Sequence, residues 1–148
     1  MIVKFFETNK INLIKDKFIL FYGKNEELKN ISIKNLLKNK KLILNYDEKE
    51  LLENSSSFIE SIRNRSLFED EKILVIKRAT DKIFKIIDEI TAKNINDLII
   101  IVNADNLDKR SKLRSLFEKK YICVAFYPDN EQTLSKLATN FFRDKKIS

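Results

Sequence analysis

Gly23-Lys24 closes the first apolar run of the chain, and a glycine-lysine pair there is where a nucleotide-binding α/β domain would hold phosphate. That chemistry needs several backbone N–H groups close to the phosphates, hence a glycine-rich turn, followed by Lys and a hydroxyl for magnesium. The turn reads Gly23-Lys24-Asn25-Glu26-Glu27 and contains the chain's single glycine, so it cannot form such a cradle. Asn25 stands where the hydroxyl belongs, and the two carboxylates after it would repel an anion. The third apolar run ends Val75-Ile76-Lys77-Arg78, which puts a cation where magnesium needs a carboxylate. The same glycine shortage excludes a dinucleotide fingerprint. With no His, and with one Cys inside an apolar run, the commonest nucleophile and base pairs and any cysteine metal cluster are missing. Asn103, Asp105 and Asp108, after the fourth run, remain as candidates for a divergent active site or a metal. Two loop carboxylates ahead of a helix are more often caps or solvated charges. The expectation is therefore no catalysis, no cofactor and no metal.

These residues sit on a regular alternation of elements. Apolar runs at 18–22, 42–44, 73–76, 98–102 and 122–126 read as five strands, and their lack of in-and-out alternation suits a parallel sheet covered on both faces. Between them the period changes to that of a helix: Ile33, Leu36 and Leu37; then Leu51, Leu52, Phe58, Ile59 and Ile62; then Ile83, Ile86, Ile87 and Ile90; then Leu113, Leu116 and Phe117. Leu134, Leu137, Ala138, Phe141 and Phe142 repeat the pattern near the end of the chain. Asp47 three residues before Glu50, and Asp129 three before Gln132, resemble capping boxes. Strand-helix alternation of this kind specifies a three-layer α/β fold, a five-stranded parallel sheet between helices, with ligand chemistry at the carboxyl ends of the strands. Residues 1–15 add a short strand or turn that the pattern does not place.

At 148 residues, 43% hydrophobic and 34% charged, the chain has the size and composition of one domain able to bury its own core. No apolar stretch approaches the roughly 20 residues of a membrane span, and residues 1–7 lack the apolar core of a signal peptide, so a cytoplasmic protein away from membranes is expected. Cys123 reads as a buried, inert thiol. The net charge of +7 would draw in a phosphate backbone if the cations gathered on one face, and a mixed solvated surface would explain it equally.

Two constellations remain. Ser66-Leu67-Phe68 places two large apolar residues before the charged Glu69-Asp70-Glu71 turn. They either cap the core or stand out as a plug for a partner's pocket, where each would contribute about 1.5–3 kcal/mol on burial. The run from Asn106 to Lys119 is an amphipathic helix whose outer face carries Lys109, Arg110, Lys112 and Arg114. That face is either simply solvated or a contact for nucleic acid or an acidic partner, and no stacking aromatics are interleaved with its charges.

The Leu107-Asp108-Lys109-Arg110-Ser111-Lys112-Leu113-Arg114 run, the Ala125-Phe126-Tyr127-Pro128-Asp129-Asn130-Glu131-Gln132 run and Ser66-Leu67-Phe68 before a strand resemble, in order and spacing, the N-terminal domain of the delta subunit of the bacterial DNA polymerase III clamp loader. The resemblance covers essentially the whole chain. It implies an AAA+/P-loop NTPase-like fold without a working P-loop, in agreement with the glycine and acid deficits. It further implies a subunit of the DNA polymerase III holoenzyme that binds the sliding clamp, the beta subunit, through Leu67 and Phe68 with Ser66 as their neighbour, and helps open the ring during DNA replication. Family members are more than twice as long and continue into a helical lid and a collar that holds the other loader subunits; neither is present in residues 1–148, which read as a single domain and a fragment of a longer protein. The rival readings are a non-catalytic nucleic-acid-binding domain using Lys109, Arg110, Lys112 and Arg114, and an enzyme built around Asn103, Asp105 and Asp108.

Overall fold

The computed structural model describes residues 1–13, 15–38, 40, 43–65, 72–93 and 98–126. Six strands, one more than expected, form a single parallel sheet: β1 (Ile2–Lys4), β2 (Phe18–Tyr22), β3 (Ile43–Asp47), β4 (Lys72–Ala79), β5 (Leu98–Ala104) and β6 (Ile122–Ala125). Their order is β1-β6-β2-β5-β4-β3. The extra strand is β1, too short to show a pattern of its own; Ile2, Val3 and Lys4 pair with Cys123, Val124 and Ala125 of β6. The helices are α1 (Glu26–Leu36), α2 (Glu48–Glu53), α3 (Ser55–Arg65), α4 (Phe84–Ala92) and α5 (Lys112–Lys120), with 3-10 turns at Phe5–Lys10 and Asp81–Ile83. None of the helices among the described residues is long and apolar enough to cross a membrane.

Unbroken apolar strands produce two cores, because alternate residues face opposite sides of the sheet. Leu20, Tyr22, Leu74, Ile76, Ile100, Val102 and Cys123 meet the stripes of α3, α4 and α5 on one face. Ile19, Phe21, Ile73, Val75, Ile99, Ile101 and Val124 meet Ile33 and Leu37 of the α1 segment, together with Phe5, on the other. The stripe expected as one helix over 51–62 is divided: Asn54 breaks it into α2 and α3, Leu51 and Phe58 are buried, and Leu52 is exposed. Asp47 is the residue before α2 as expected, yet its side chain makes no capping bond and lies 3.9 Å from Arg78 instead. Asp129 and the stripe from Leu134 to Phe142 lie outside the described residues.

Strand order decides where a site can form. β2 and β5 are neighbours, but the helices that follow them go to opposite faces, α1 to one core and α5 to the other. A crevice opens at the carboxyl ends of such a strand pair.

Candidate functional site

The crevice between β2 and β5 is closed by the chain's own atoms. Gly23 has φ of +123°, and a Cβ built on it would stand 1.9 Å from the Phe126 carbonyl oxygen. The glycine is there so that the ends of β2 and β6 can touch. Its N–H donates to the Asp105 carbonyl at 3.2 Å, the Asp105 N–H donates to the Ala79 carbonyl at 3.3 Å, and the Phe126 N–H donates to the Tyr22 carbonyl at 2.7 Å. Four strand ends are thereby stitched together.

Asn25 caps α1, its side-chain oxygen accepting from Leu28 N–H at 3.1 Å, which satisfies a donor that a bound anion would otherwise meet. One turn further on, Lys29 is 0% exposed. Its Nζ donates to the Ala104 carbonyl at 2.7 Å and pairs with Glu26 at 2.9 Å. Asn103 completes the cluster, its amide donating to Glu26 Oε1 at 3.2 Å and to Asn30 Oδ1 at 3.4 Å. Partial burial works to raise the Glu26 carboxyl, but the bond and charge of Lys29, with help from Asn103, outweigh it and hold the group below the ordinary glutamate range. The internal cation sits at the strand ends with its charge already matched. Lys29 was not singled out from the sequence, although a signal exists: Lys29, Ile33 and Leu37 are spaced by four, which puts the lysine on the buried stripe of α1.

The other strand-end residues do not converge. Arg78 sits at the end of β4 as expected, 85% exposed and in the left-handed region with φ of +54°. Its turn lets Thr80 reach the buried Glu48, whose two carboxylate oxygens accept the Thr80 N–H and hydroxyl. Asp108 accepts from Arg110 N–H at 2.8 Å and serves the loop, while Asp105 is exposed. No group of three or more metal-ligating side chains occurs among the described residues.

On the other face, Asp81 caps α5 across space, accepting from the Ser111 hydroxyl at 2.7 Å and Leu113 N–H at 2.9 Å. Burial pushes its carboxyl up, while these bonds and the Lys112 charge outweigh that and hold it low. Arg114, expected on the solvated face of α5, is instead turned inward. Its Nε bonds Glu118 at 2.7 Å, an Nη bonds the Leu107 carbonyl at 3.1 Å, and its guanidinium lies 5.0 Å from the Tyr22 ring centre. Arginine stacks and forks in this way where lysine would not. Lys109, Arg110 and Lys112 are exposed. Ser66, Leu67 and Phe68 lie outside the described residues, between α3 and β4.

Cys123 is buried, and burial pushes its thiol up to about 12. A thiol held neutral is a poor nucleophile. A thiol reagent at neutral pH is expected to label Cys123 only in denaturant, and rapid stoichiometric labelling of the native protein would contradict this burial.

The domain is a parallel α/β sheet with helices on both faces, in which β2 is flanked by β5 and β6. Among solved structures it is similar to a Rhizobiales Trip13, with a TM-score of 0.51 and 13% identity over 84% of this chain. The chain spans about half, 52%, of that structure's length. At this identity the likeness concerns the fold alone. No protein-family model matches the sequence, and no curated protein does.

Proposed function

We propose that this chain is the clamp-gripping domain of a delta-type clamp-loader subunit, which binds a sliding clamp and helps open its ring during DNA replication without hydrolysing ATP. The observation that carries the reading is the filled crevice. In a fold similar to AAA+ domains, the place for phosphates holds Lys29, Glu26 and Asn103, bonded to one another and to the Ala104 carbonyl. Such a domain keeps the architecture and uses its surface rather than its crevice. The sequence resemblance supplies the surface, Leu67 and Phe68 with Ser66 beside them.

The mechanism is mechanical. A bound domain shifts a clamp between closed and open states only by its differential affinity for the two, so Leu67 and Phe68 must hold the parted ring more tightly. ATP enters through other loader subunits, reached through the lid and collar of the longer family members. The protein acts in the cytoplasm in this reading.

The test is binding of the source organism's clamp to the wild type and to a Leu67→Ala, Phe68→Ala double variant. Apolar anchors of this size carry about 2 kcal/mol or more of an interface, so affinity should fall at least about thirtyfold. The melting temperature should stay unchanged, because residues exposed as a plug do not hold the core. Unaltered clamp affinity in a folded variant would reject the plug, and a large loss of stability would return the pair to the core.

A further inference from the structure

No further inference is drawn: the strongest candidate, the small cavity between α3 and the amino ends of β3, β4 and β5, lined by Leu44, Tyr46, Phe58, Ile62, Lys72 and Leu98, has room for about one water molecule, and nothing among the described residues shows a ligand that it would hold.

Discussion

Gly23→Ala is expected to lower stability by about 3 kcal/mol or more, enough to unfold a marginal domain. Two independent penalties add at this residue. The backbone has φ of +123°, where a side chain is strained whatever space surrounds it. The new methyl would also stand 1.9 Å from the Phe126 carbonyl oxygen and 2.7 Å from its carbonyl carbon, so the obstacle is main chain rather than the end of a flexible side chain. Phe126 cannot withdraw cheaply, since its N–H is bonded to Tyr22 and its ring meets Phe21 at 5.4 Å and Phe5 at 5.9 Å between centres. Gly23→Asn should be no better, because asparagine tolerates positive φ but brings the same Cβ. Urea unfolding followed by circular dichroism measures the loss. A Gly23→Ala protein within about 1 kcal/mol of the wild type would show that β2 and β6 do not approach as described.

That glycine also shows how far sequence reasoning reaches in this fold. The strands could be read because a parallel sheet buried on both faces leaves continuous apolar runs, and 18–22 coincides with β2. Helix stripes were equally legible where the period held, as at Ile83, Ile86, Ile87 and Ile90. β1 was not, since a three-residue edge strand carries no period and is defined by its partner β6. The deficits at Gly23 and Arg78 were visible as residue types. What fills the crevice was not, because the Lys29 bond to Ala104 spans 75 positions and only folding brings them together. The same holds for Asp81, whose cap on α5 comes from 32 positions away. Arg114 was misjudged for a related reason: its position on the helix face suggested solvent, whereas Tyr22, Leu107 and Glu118 offer it a stack and two acceptors.

Glu26→Leu should destabilise the domain more than Lys29→Met, although Glu26 is the exposed partner. The Lys29 ammonium is buried, so removing the carboxylate while keeping the crevice covered leaves a charge with the Ala104 carbonyl as its remaining described partner. Breaking a fully buried pair costs about 3–5 kcal/mol; because Glu26 is 59% exposed and water screens it, about 2–3 kcal/mol is expected here. Lys29→Met keeps the apolar stem, leaves Glu26 in water and deprives one carbonyl of a donor, at a cost of about 1–2 kcal/mol. The double variant should therefore be more stable than Glu26→Leu alone, a non-additivity that a double-mutant cycle measures directly. Acid should act in the same direction as Glu26→Leu. The Glu26 carboxyl is lowered in the folded state, so its contribution is fully present above the unfolded value and is lost as pH falls through the folded one. The cycle would fail if Lys29→Met proved the more damaging single change or if the two losses simply added. A double variant as stable as the wild type would show that the Lys29–Glu26 pair fills the strand ends without adding net stability over an apolar pair.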